Sequence, residues 1–139
     1  MEGFVGWPEE VAASYRARGL WEGVTVGDMF ARRAARWPDK LALVHGEHRL
    51  TYAALLARAT DRTARFAGLG LRCGDRVLMQ LPNTIEFVVS YLALNMLGVI
   101  PVMALRAHRQ AEVRHFLRAS GAAAYLIPDI VGGFDFRVM

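Results

Sequence analysis

Residues 76–102, RVLMQLPNTIEFVVSYLALNMLGVIPV, read as one strand-helix-strand unit, and the rest of the chain is arranged around them. Arg76 to Leu81 is a short apolar run that stops at Pro82-Asn83, a pair that cannot extend a central strand and favours a turn. Asn83 or Thr84 then caps a helix to Leu97, because a short polar side chain accepts the orphan amides of a first turn. Apolar residues cover most of that helix and leave only a narrow polar stripe through Glu86, Ser90 and Asn95, the signature of a helix buried on nearly all sides. Gly98 stands where a left-handed C-terminal residue belongs, and Val99 to Met103 follows as a second buried strand. Glu86, Asn95 and Pro101 interrupt the apolar run before it is long enough to span a bilayer.

The chain of 139 residues is one domain's worth of protein, long enough for a core of its own. Its apolar fraction of 54% and mean hydropathy of +0.21 are high for a free-standing domain, so some apolar surface is expected to meet a partner. A single cysteine, Cys73, excludes an internal disulfide framework and fits a reducing compartment. No basic segment followed by an apolar core and a small-residue cleavage site opens the chain, so the expected location is the cytoplasm, with no membrane partner. The net charge of +4 raises the question of nucleic acid. The arginines fall on the polar faces of predicted helices, as Arg16, Arg18, Arg32, Arg33, Arg36, Arg58, Arg62, Arg65, Arg114 and Arg118, with no reading-helix motif among them. That is the pattern of solvated faces, and no nucleic-acid partner is expected.

In chain order, a short helix is expected over Trp7–Arg18, with Pro8 in its first turn and Val11 and Tyr15 facing inward. A second begins near Thr25, carries Met29, Phe30, Ala34 and Trp37 inward, and ends before Pro38. Leu41–His45 and His48–Leu50 form a hairpin around Gly46-Glu47. Thr51 opens an amphipathic helix that buries Tyr52, Leu55, Leu56, Ala59, Thr63, Phe66 and Ala67 and turns Arg58, Asp61, Arg62 and Arg65 to water. Past the central unit come a helix over Arg109–Ser120 and a strand over Ala123–Ile127, while Ile130 to Met139 shows no clear element. Helices alternating with short apolar strands specify an α/β fold with a mostly parallel sheet flanked by helices. The domain plan is a single α/β unit over 1–139, with a helical segment over 1–38 and a βαβα sheet portion over 39–139. A layer that ends just after a strand, without its covering helix, reads as incomplete.

Candidate chemistry is sparse. A phosphate-binding turn would place glycines between a strand and a helix, often with a lysine. Lys40 is the only lysine, and a C-cap or a turn explains Gly68-Leu69-Gly70 and Gly132-Gly133 more simply. His45, Glu47 and His48 share a hairpin tip without a fixed third ligand, which reads as solvated side chains rather than a metal site. Cys73 has only Arg72 and Arg76 beside it and reads as an incidental thiol. Trp7, Trp21 and Trp37 read as packing anchors. His108 and Arg109 follow the second strand of the central unit, at the carboxyl end of a parallel strand where open α/β sheets place ligands, and are the substrate-proximal candidates; helix initiation is the competing reading. No residue is assigned as catalytic, cofactor-binding or metal-ligating.

Leu50-Thr51-Tyr52-Ala53-Ala54-Leu55 resembles the first core motif of the adenylate-forming enzymes, with alanine at the usual glutamate. Arg76–Asn83, Glu86-Phe87 and Leu97–Val102 are similar to the second block. The chain resembles more narrowly the aryl-acid AMP ligases of the dihydroxybenzoate and salicylate type. That likeness is carried by Gly3-Phe4, Trp7–Glu10, Tyr15-Arg16, Gly19–Trp21, Ala104-Leu105 with His108-Arg109, Ala122–Tyr125, Pro128-Asp129 and Gly133–Asp135. The pattern departs at Arg106-Ala107, where the family tends to carry proline and serine.

The resemblance implies the N-terminal subdomain of a ligase that uses ATP and Mg to join an aromatic carboxylic acid to AMP, then passes the acyl group to a phosphopantetheine thiol of an aryl carrier protein, as in siderophore biosynthesis. The family's phosphate loop, acid pocket, magnesium-coordinating acid and mobile lysine fall in sequence beyond Met139. The chain alone is therefore expected to be inactive and to bind no cofactor, with the remainder of the ligase as its partner. The alternative is a non-catalytic half that docks on a partner or self-associates through an uncovered sheet.

Overall fold

A computed structural model describes residues 5–138, so Gly3, Phe4 and Met139, which carry sequence expectations, lie outside the described residues. Two helices lead, α1 (Glu9–Ala17) and α2 (Val26–Arg36). The hairpin β1 (Leu41–His45) and β2 (His48–Thr51) runs into the long helix α3 (Tyr52–Gly68). Next come β3 (Arg76–Met79), α4 (Ile85–Leu97) and β4 (Ile100–Met103). The helix α5 (Gln110–Ser120), the strand β5 (Ala124–Leu126), a hairpin of β6 (Ile130–Val131) and β7 (Phe134–Asp135), and one 3-10 turn over Phe136–Val138 complete the order.

Short polar side chains start two of the helices. Thr25 accepts from the Asp28 amide at 3.1 Å, and Thr51 from the Ala54 amide at 3.2 Å. Thr84 occupies the same position before α4, but its hydroxyl takes no first-turn amide and lies 3.4 Å from the Pro82 carbonyl. Pro8 sits just outside α1 with an extended ψ of 134°, so that helix starts at Glu9, later than expected.

The sheet is parallel and three-stranded, ordered β4-β3-β5. Pro101 is tolerated because β4 is an edge strand: the Ile100 amide bonds the Asp75 carbonyl at 2.8 Å, which turns the next residue's nitrogen away from β3. From β3 the chain steps one way to β4 and then back past it to β5. Right-handed crossovers then require α4 and α5 to cover opposite faces. Val77 and Met79 accordingly pack with Phe66, Ala93 and Leu94, while the pleat turns Leu78 and Gln80 the other way. A second cluster, Leu50, Leu55, Ala59, Ile85, Val89 and Leu92, joins the hairpin to α3 and α4.

The polar stripe of α4 does not face water as a stripe. Arg62 of α3, expected among the solvated residues, donates to Ser90 Oγ at 3.0 Å and pairs with Glu86. Ser90 is fully buried, so its hydroxyl needs that partner. Ala67 is exposed, turned one step round the helix from the buried Phe66. On α2 the inner face is Gly27, Phe30 and Ala34, at helical spacing, which leaves Met29 (50% exposed) and Trp37 (37%) outside. Gly27 suits that close approach: a Cβ at that position would lie 3.1 Å from Met96 Cα of α4, tighter than an ordinary contact.

Gly98 ends α4 with φ +74°, and its missing Cβ leaves room for Cys73, whose Sγ would otherwise lie 2.7 Å away. The segment after Ile130, expected without an element, folds back as β6 and β7 around Gly132 and Gly133, with φ of +61° and +78°. Two consecutive positive φ values are what a tight two-residue hairpin turn demands. Phe136 beyond it is buried.

Candidate functional site

Adjacent parallel strands whose exits lead to opposite faces leave a crevice between their carboxyl ends. Here β3 exits through Leu81–Thr84 to α4, and β4 exits through Ala104–Arg109 to α5. Between them opens a crevice of about 630 Å³, lined by residues 81–84 and 103–106 and closed by Phe87 and by His45 of the hairpin.

One residue fixes both walls. Gln80, fully buried at the end of β3, donates its amide to the carbonyls of Leu105 at 2.7 Å and His108 at 3.0 Å. Its side-chain oxygen accepts from the Tyr125 hydroxyl on β5. The three strand ends are thus tied through a single carboxamide, which has the two donors and the acceptor this requires. Burial pushes the Tyr125 phenol up from its ordinary value. The signal for Gln80 was in the sequence as the one polar residue after Arg76 inside RVLMQL.

His108 and Arg109 stand behind the crevice wall, not in its lining. His108 Nδ1 accepts from the Leu105 amide at 3.0 Å, and its ring meets Phe116 edge-on at 5.0 Å. Arg109 donates to the Arg106 carbonyl at 2.7 Å and the His108 carbonyl at 2.9 Å, while its guanidinium lies 4.1 Å from the Phe134 ring centre. The Arg109 amide donates to Glu112 at 2.9 Å; that hydrogen bond, first among the causes, holds the Glu112 carboxyl below its usual range. The loop is held in shape by these contacts. Arg106, which the sequence marked only as a departure from the family pattern, lines the crevice.

Apolar walls rimmed by His45, Asn83, Thr84 and Arg106 can hold a group but present no nucleophile paired with a base. No carboxylate lines the crevice, so it offers a magnesium ion no anionic oxygen, and the residues present do not fit ATP with its metal. Among the described residues no group of three or more His, Cys, Asp and Glu stands together to hold a metal ion. His45 and His48 face each other across the hairpin. Gly68 closes α3 and Gly132-Gly133 turns the last hairpin, so neither cluster precedes a helix. No described helix is long and apolar enough to cross a membrane.

Comparison with known proteins adds independent findings. The family model for AMP-binding enzymes matches residues 30–135. The 2,3-dihydroxybenzoate-AMP ligase of Bacillus subtilis is 44% identical over 137 residues, covering 99% of this chain and 25% of the relative. The salicyl-AMP ligase / salicyl-S-ArCP synthetase of Mycobacterium tuberculosis is 46% identical over 142 residues, again 99% of this chain and 25% of the relative. The apo structure of MbtA from Mycobacterium smegmatis superposes with a TM-score of 0.85 at 46% identity, covering 88% of this chain and 23% of that one. The chain therefore spans about a quarter of the length of the curated relatives it matches.

Proposed function

Since this chain belongs to the AMP-binding enzyme family, we propose that it supplies the N-terminal scaffold of a ligase that activates an aromatic carboxylic acid, 2,3-dihydroxybenzoate or salicylate. The observation that carries the reading is identity of 44–46% running through 99% of the chain to ligases of those two acids. In the complete ligase the carboxylate oxygen attacks the α-phosphorus of ATP, pyrophosphate leaves, and the acyl-adenylate is then opened by a carrier-protein phosphopantetheine thiol with release of AMP. A carboxylate is a poor electrophile, and a phosphate leaving group overcomes that.

No step of this chemistry is assigned to residues of this chain. ATP and magnesium belong to the complete enzyme, of whose relatives this chain spans about a quarter. The chain contributes a single incomplete α/β domain, helical over 1–38 and layered over 39–139, with a cytoplasmic address. His108 and Arg109 act beside the substrate path by holding the 104–109 loop in shape. Purified alone, the chain is expected to give no pyrophosphate exchange with either acid. Acid-dependent exchange above a mock preparation overturns the reading.

A second reading follows from the free outer edges of β4 and β5, with Met103 49% and Leu105 68% exposed beside the crevice. Uncovered strands recruit others, so the chain docks there on the rest of the ligase or on a second copy. Light scattering on a sizing column separates these outcomes, because a clean monomer at high concentration removes self-association.

A further inference from the structure

The fold gathers arginines that the sequence appeared to scatter. Arg16, Arg32, Arg33 and Arg36 converge on one groove between the end of α1, the loop over 18–25 and α2. Arg16 is already engaged, 3.0 Å from Glu9 and 6.0 Å from the Trp21 ring centre. Arg32, Arg33 and Arg36 make no ion pair among the described residues. Arg33 and Arg36 lie 5.5 and 4.7 Å from the Trp37 ring centre, with Lys40 at 5.5 Å. Stacking occupies the face of a guanidinium and leaves its N–H edges for carboxylates.

The helix dipole accounts for Arg33 and Arg36 in the last turn of α2, but not for Arg32, whose charge stands one turn from Arg36 and repels it. An anionic partner relieves that repulsion. The same groove has an apolar side: Leu20 is 54% and Met29 50% exposed. Unpaired guanidiniums beside an apolar floor match a ligand with carboxylates on one face and aliphatic side chains on the other. A nucleic acid fits less well, because sequence-tolerant binding of single strands relies on free aromatic platforms. Trp21 is already stacked on Tyr15 at 5.3 Å, and cations crowd Trp37.

We propose that this groove docks an acidic amphipathic helix of a partner protein, with Arg32, Arg33 and Arg36 taking its carboxylates and Leu20 and Met29 its apolar face. The surface lies apart from the crevice and stands independently of the ligase reading.

The test is fluorescence anisotropy of a labelled synthetic helix carrying a glutamate face and a leucine face, titrated with the 139-residue chain. The triple reversal R32E/R33E/R36E is expected to weaken binding by more than about tenfold with an unchanged circular dichroism spectrum. R58E/R114E/R118E makes the same change in net charge elsewhere and is expected to stay within about twofold. Met29→Ser, on the floor, weakens binding without touching charge. Equal losses in the two triple variants reduce the interaction to net charge and overturn the proposal. So does the absence of peptide binding, or single-stranded DNA binding as tightly as the peptide at the same salt.

Discussion

The central unit and the two leading helices meet the demand for burial in opposite ways. In α4 six residues are buried, and two residues of its polar stripe, Glu86 and Ser90, find a matched partner in Arg62. In α2 only Gly27 and Ala34 are buried, while Met29, Trp37 and three arginines without an ion pair among the described residues stay at the surface. The α4 sequence is apolar nearly all round, whereas α2 is amphipathic and carries Asp28 and three arginines. Burial follows that pattern and what stands opposite each residue: stability resides in residues 50–103, and unspent recognition capacity in residues 16–37.

The largest effect should come from the centre. Leu94→Ala removes a fully buried side chain from the cluster on the sheet and is expected to cost about 3 kcal/mol in urea unfolding. A loss below roughly 1 kcal/mol would move the core elsewhere. Gly98→Val comes next, at about 2 kcal/mol, because it strains a left-handed residue and drives a methyl toward Cys73. Adding Cys73→Ala should recover the contact part and leave the backbone part, which separates the two causes.

Gln80→Leu leaves the Leu105 and His108 carbonyls and the Tyr125 hydroxyl without their partner, for about 2 kcal/mol. Tyr125 supplies a pH readout of the same clamp. Its phenol is raised in the folded chain, so its contribution is fully present below 10.0 and is lost as pH rises through the folded value. Tyr125→Phe should flatten that alkaline dependence.

At the acid end the sign reverses. The hydrogen bond from the Arg137 side chain, first among the causes, lowers the Asp135 carboxyl from 3.8 to about 2. Its stabilising contribution is therefore present above 3.8 and lost as pH falls toward about 2, and Asp135→Asn should abolish that slope. The smallest effect belongs to α2: R32E/R33E/R36E should change stability by less than about 1 kcal/mol, since these exposed side chains make no ion pair among the described residues and only Arg33 and Arg36 lie over a ring, that of Trp37. A large loss there would erase the contrast between the regions.

Periodicity made the central unit, the hairpin and α3 legible, because each carries enough residues to display its repeat and a Thr or Gly at its boundary. The last hairpin was not legible from periodicity: strands of two residues are too short to show alternation, and only Gly132-Gly133 marked the turn. The arginine groove was hidden for another reason. A helical pattern turned the arginines of α2 to water but misplaced Met29 and Trp37, and it does not show that the loop over 18–25 brings α1 beside α2. Arg62 shows the same gap at closer range, since nothing local to α3 points to Ser90 across the helix pair. At the carboxyl edge, strand order located the region around residues 104–109, while the division of labour inside it, with Arg106 on the crevice and His108 and Arg109 behind, depends on hydrogen bonds that close only in the fold.

The most direct test replaces the corresponding N-terminal quarter of the Bacillus subtilis 2,3-dihydroxybenzoate-AMP ligase with this chain and measures dihydroxybenzoate-dependent pyrophosphate exchange. The scaffold account predicts exchange within about tenfold of the parent, because the reacting groups all remain. A chimera that folds and binds ATP yet gives no exchange would contradict it.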